Sequence, residues 1–258
     1  MKIQLEKLKG LRAYDYNSIL DNMLFKNDQT YEKLINVGKK INQIIIKNSN
    51  NNNIALLNHI EQHNCDVLSL TKDISNNEHK KSNNKRLYDH ENCILFAARY
   101  HDSGKLINTD HHTTIMNDLI TKLCIEEGLD DLYIKIILSA INNHNNILTD
   151  SSTIDIVYNY KSNLNRIKKK RIRETGHIPI EYELKEGTIK MPKSFDYLVE
   201  ANILSKFSIS YLLYNYDNTK DLDNNIKAFY DILLDNFFRK IYLLKSETSM
   251  AMYSEFVK

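Results

Sequence analysis

The chain has 258 residues, 42% of them hydrophobic, so it can bury a sizeable core without staples. Its 35 basic and 33 acidic residues leave a formal charge of +2, so no overall field draws it to nucleic acid or a membrane, and any charge-driven partner must meet a local patch. With only two prolines and six glycines, long uninterrupted stretches exclude a turn-rich all-β fold and predict an all-α body.

The opening MKIQLEKLKGLRAYDY has no apolar segment of signal-peptide length, and no later run reaches membrane-span length. Cys65, Cys93 and Cys124 are odd in number and lack the close pairing of a zinc knuckle. A cytoplasmic protein with no membrane partner is expected. From Tyr31, the spacing of Leu34, Ile35, Ile41, Ile44 and Ile45 predicts a helix with Asp28 or Thr30 as N-cap. The Asn48 to Asn53 tract reads as a loop. A second helix carries Ile54, Leu57, Val67, Leu70 and Ile74, and the polar stretch SNNEHKKSNNK is expected to end it as an exposed loop.

A third helix, about Tyr88 to Tyr100, holds the dense run CILFAA. Its small Ala97 and Ala98 allow close packing, so it is expected to be buried and to lead straight into His101-Asp102. Helices are predicted from about His112 through Cys124 and from about Leu132 through Asn143, separated by EEGLDD with Gly128 as cap. Another begins near Ser152 and runs into the basic cluster Arg166 to Arg173. HIPIEYEL and TIKM alternate with period two around Glu186-Gly187, which predicts a small inserted β-hairpin. Two long helices, about Lys193 to Tyr216 and about Leu222 to Ser246, complete the chain. The basic cluster suits a solvated helix face; Lys169 and Arg171 within it are the candidates for gripping phosphate.

Hydrolysis of a phosphate ester needs charge neutralisation and a hydroxide at neutral pH, both of which His and Asp side chains supply by holding divalent metal. Of nine histidines, His63, His101, His112 and His144 each fall near a predicted helix end, where they can converge on one pocket. The stretch AARYHDSGK, with His101, Asp102, Gly104 and Lys105, resembles the defining motif of the HD superfamily of metal-dependent phosphohydrolases. Upstream, HNCDVLSLTKDI resembles that family's first ligand helix and nominates His63, with His59 one turn earlier as a competing candidate. Downstream, HHTTIMNDLI and AINNHNNIL resemble its third and fourth histidine segments, nominating His112, with His111 as alternate, and His144. In EANILSKF, Asn202 stands where the family places an Asp, with Asp196 or Asp155 as other sources of a carboxylate.

The resemblance spans roughly Asn53 to Tyr216. It implies an all-α HD-domain bundle over 53–216; a helical extension over 1–52 and a C-terminal helix over 217–258 lie outside it, and a single domain over residues 1–258 is the simplest count. It further implies one or two divalent transition ions (Mn, Fe, Ni, Co or Zn). His63, His101, Asp102 and Asn202 would hold the first, and Asp102 would bridge to a second on His112 and His144. Lys105 would stabilise charge on the substrate phosphate. The implied reaction is cleavage of a phosphoester in a nucleotide or cyclic nucleotide by metal-activated water. AINNHNNIL is also similar to the HD nuclease of type I CRISPR systems, which implies single-stranded DNA as an alternative substrate. A domain that binds without turnover is the third reading, motivated by Asn202.

Overall fold

The computed structural model describes residues 16–48, 54–82, 90–107, 112–144, 181–184, 187–208, 211, 220–234 and 241–256. These are mostly helical: α1 (Tyr16–Met23), α2 (Tyr31–Asn48), α3 (Ile54–Ser82), α4 (Glu91–Tyr100), α5 (His112–Glu126), α6 (Asp131–Asn143), α7 (Ser194–Leu204), α8 (Leu222–Leu234) and α9 (Glu247–Phe256). Two strands, β1 (Glu181–Leu184) and β2 (Gly187–Lys190), pair antiparallel with Tyr182 opposite Ile189. Residues 49–53, the helix expected near Ser152, the basic cluster with Lys169 and Arg171, and His111 and Asp155 lie outside the described residues. Among the described residues, no helix is long and apolar enough to cross a membrane.

Helix α4 is the centre of the molecule. Every one of its residues is buried, as its apolar circumference requires, and α1, α2, α3, α6 and α7 pack around it. The one cation in its interior, Arg99, is fully buried and donates to the Glu61 carboxylate on α3. This buried ion pair ties α3 to α4 within one turn of His63 and His101.

The segment expected as an N-terminal extension is part of this core. The Tyr100 hydroxyl lies 3.2 Å from the Gly38 carbonyl oxygen and 3.1 Å from Asn42 Oδ1 on α2. A Cβ at Gly38 would fall 2.8 Å from Leu20 Cδ2 and 2.9 Å from the Tyr100 hydroxyl, so a larger residue there would displace the side chains that α1 and α4 pack against α2.

Three sequence expectations change. The polar tail of α3, expected as a loop from Ser75, is helical to Ser82, because its polar groups find distant partners. Ser75 donates to Glu91 at the head of α4, and Glu78 accepts from the Thr248 backbone (3.0 Å) and hydroxyl (2.6 Å) at the start of α9. The helix expected through Tyr216 stops at Leu204 and tightens into a 3-10 turn, Ser205–Phe207. There the Ser205 hydroxyl donates back to the Asn202 carbonyl at 3.0 Å, a side-chain bond that competes with helix continuation. The helix expected through Ser246 gives way before it to a 3-10 turn, Ile241–Leu243, and a further helix, α9, follows. Glu200 accepts the backbone N–H groups of Lys245 (2.8 Å) and Ser246 (3.0 Å), and Ser246 caps the separate helix α9 by accepting the Ser249 N–H at 3.1 Å.

One consequence is a pH-dependent stability. Burial pushes the Glu91 carboxyl up from its ordinary 4.5 to about 7, against the pull of Ser75 and Lys72. His79 Nδ1 lies 3.8 Å from its Oε2. Between these values the folded state binds the extra proton, so stability is highest below the lower value and falls as pH rises through the window. Thermal melts from pH 4.5 to 7.5 should show this decline, and Glu91→Gln should flatten it by about 3 kcal/mol at most. An identical slope in wild type and variant would contradict the assignment.

Candidate metal centre

Three helices end at one place. His101 is the C-cap of α4, His144 the C-cap of α6 and Ser205 the C-cap of α7, and their last carbonyls give the region a negative potential that favours a cation. The imidazoles of His101 and His144 satisfy part of those helix ends. Nδ1 of His101 lies 2.8 Å from the Ala98 carbonyl oxygen, and Nδ1 of His144 lies 2.5 Å from that of Ile141. Donation to a carbonyl requires the proton on Nδ1, which leaves each Nε2 as a lone pair.

His63, buried on α3, reaches the same state by another route. The Ser205 hydroxyl spends its proton on the Asn202 carbonyl, so its oxygen, 3.4 Å from His63 Nδ1, accepts from that nitrogen. The lone-pair Nε2 of His63 then faces that of His101 at 3.2 Å. Asp102 Oδ2 stands 3.8 Å from both nitrogens, and its Oδ1 stands 3.6 Å from His144 Nε2. Oδ1 is buried with no hydrogen bond among the described residues. Two nitrogen lone pairs at that separation beside a carboxylate repel unless a cation lies among them. His63, His101 and Asp102 form a buried group whose ligand atoms all lie within 4.8 Å of one another, and that group could hold a metal ion.

Protonation agrees with this. Burial holds the His63 imidazole down at about 3 despite the neighbouring Asp102, and burial likewise holds His101 well below its ordinary value. Burial alone would raise Asp102, but its polar and charged surroundings keep its carboxyl well below the usual carboxylate range. At neutral pH the group is therefore two neutral imidazoles and one anion, the state in which these side chains bind metal.

The surroundings hold the group in place. Asn64 donates to the Ser103 hydroxyl at 3.0 Å, tying α3 to the 3-10 turn Ser103–Leu106 that follows Asp102. Lys105 on this turn donates to Asp102 Oδ2 at 2.7 Å. Gly104 lies beneath the start of α5, where a Cβ would fall 2.1 Å from the His112 carbonyl oxygen and 2.6 Å from Met116 Cγ. Gly104→Ala should thus push α5 off the turn, costing about 1–3 kcal/mol in urea denaturation. Wild-type stability in that variant would contradict the close approach.

Of the residues nominated by sequence, the structure brings together His63, His101 and Asp102, with His144 and Lys105 against the carboxylate. His59 is half-buried one turn from His63, its ring stacked at 6.4 Å between centroids, and is not a member of the group. His112 begins α5, where its backbone packs on Gly104; it too is outside the group. Asn202 is buried, with its side-chain Nδ2 3.4 Å from the His144 carbonyl oxygen. Asp196 lies on the same helix, half-buried and pushed up to about 7 by burial and by Glu200. Sequence reasoning missed Asn64, Ser205 and Tyr211, whose ring lies 5.9 Å from His63 and 5.6 Å from His59. Ser205 had a signal, since it closes the ANILS stretch that nominated Asn202. The chain matches no family model, no curated protein and no solved structure.

Proposed function

We propose that the protein is a metal-dependent phosphohydrolase of the HD type, cleaving a phosphoester bond in a nucleotide or cyclic nucleotide. The observation that carries this reading is the buried pair of Nε2 lone pairs, 3.2 Å apart, beside the ionised Asp102. A divalent transition metal held there supplies charge neutralisation and lowers the pKa of coordinated water to the neutral range.

The chain's own groups account for the rest. His63 and His101 present their nitrogens without losing a proton, and Asp102 brings the negative charge that a divalent cation needs. In the two-metal reading Asn202 would be a fourth ligand of the first ion, and Asp102, whose Oδ1 faces His144, would share a second ion with His144 and His112. The Lys105 ammonium, on the exposed side of Asp102, balances charge on the phosphoryl oxygens as the phosphorus–oxygen bond breaks. The neutral amide of Asn202, where a carboxylate would bind more strongly, reduces the negative charge of the site.

Purified protein loaded with Mn²⁺ should release product from at least one of a set of mononucleotides, cyclic nucleotides and cyclic dinucleotides. Asp102→Ala should abolish that turnover. Single-stranded DNA as the only cleaved substrate would move the assignment to the nuclease reading, and metal binding without turnover of any substrate would move it to the binding-only reading.

A further inference from the structure

Asp102 Oδ2 already has a cationic partner. Lys105 Nζ lies 2.7 Å from it, while the same oxygen stands 3.8 Å from Nε2 of both His63 and His101. The two partners differ in freedom: the Lys105 side chain is 35% exposed and that of Asp102 is 9% exposed. The backbone between them is fixed, because Lys105 N–H donates to the Asp102 carbonyl at 3.0 Å and Gly104 is pressed against α5. Any change in this ion pair must come from the lysine side chain, whose flexible stem can carry the ammonium away from the carboxylate.

Two cations drawn to one carboxylate oxygen repel each other, and the more strongly bound one keeps the oxygen. Resting on the metal-centre reading above, we propose that Lys105 is a built-in competitor of the metal. It neutralises Asp102 in the metal-free protein, and metal binding displaces its ammonium from Oδ2, making it available to an anionic substrate. Loading with metal and exposing a phosphate-binding cation would then be one event, so that the free ammonium is presented only when the site is charged.

Lys105 should therefore weaken metal binding, the opposite of what a supporting residue does. Calorimetric titration with Mn²⁺ should find Lys105→Met about tenfold tighter than wild type, a typical size for a coupling between two sites. Lys105→Arg, which keeps the cation, should stay close to wild type. Lys105→Gln serves if the methionine variant does not fold. A second readout uses wild-type protein alone: amidination of Lys105, mapped by mass spectrometry, should be faster with Mn²⁺ than without. Affinity in the neutral variants no tighter than wild type, or labelling unchanged by Mn²⁺, overturns the proposal while leaving the metal centre standing. Failure of wild-type protein to bind Mn²⁺, Co²⁺ or Ni²⁺ overturns both.

Discussion

Arg99→Ala is expected to destabilise the protein by about 3–5 kcal/mol, because it leaves the Glu61 carboxylate buried at the core with its cation removed. Arg99 is fully buried and Glu61 is 3% exposed, so water cannot replace the lost partner without opening the packing of α3 against α4. Urea denaturation measures the loss. The companion experiment separates charge from packing: Glu61→Leu with Arg99→Met removes both charges and keeps apolar volume, and should recover most of the stability. A loss below 1 kcal/mol in Arg99→Ala would contradict a buried pair at this position.

The second large effect is on metal affinity. His101→Ala removes one of two imidazoles from the group and should lower Mn²⁺ affinity by more than about 100-fold, beyond the 10- to 100-fold typical of losing an outer-shell partner. Ser205→Ala tests that outer shell directly. It removes the oxygen that accepts from His63 Nδ1 at 3.4 Å, and with it the restraint on tautomer and ring orientation, so a loss of about tenfold is expected. Equal losses in the two variants would show that Ser205 acts on the fold of the turn rather than through His63, and circular dichroism melts of the metal-free proteins distinguish these.

Much of the helical body could be read from periodicity. α2, α5 and α6 begin and end close to where their apolar spacing places them, and Gly128 carries the positive φ of 68° expected of a helix-terminating glycine. The burial of α4 followed from CILFAA, and Arg99 just beyond that run was itself a signal that an acidic partner must lie opposite. What could not be read were the features that depend on residues far apart in sequence. The tail of α3 looks like a loop because Ser75 and Glu78 are polar, and their distant partners Glu91 and Thr248 are not visible to a local reading. The break at Ser205 and the extra helix that starts after Ser246 arise from side chains that capture backbone groups, which a periodicity argument treats as ordinary positions.

The same division holds at the site. His101-Asp102 and His63 were legible as residue types in a recognisable order, but the choice between His59 and His63 needed the fold, since residues four apart share a helix face. The proton positions were not legible at all. They follow from the carbonyls of Ala98 and Ile141 and from the Ser205 hydroxyl, which together leave all three Nε2 atoms as acceptors.

We propose that His63 and His101, through Nε2, and Asp102, through a carboxylate oxygen, bind a divalent transition metal. Titration of the metal-free protein with Co²⁺, followed by its visible absorption and by calorimetry, tests it most directly, because the ligand-field bands report nitrogen ligands independently of any substrate. Saturable binding at one or two ions per chain is expected, with bands that are lost in both His101→Ala and Asp102→Ala while those proteins remain folded. Absence of Co²⁺ binding to folded wild-type protein, or bands unchanged in both variants, would contradict it.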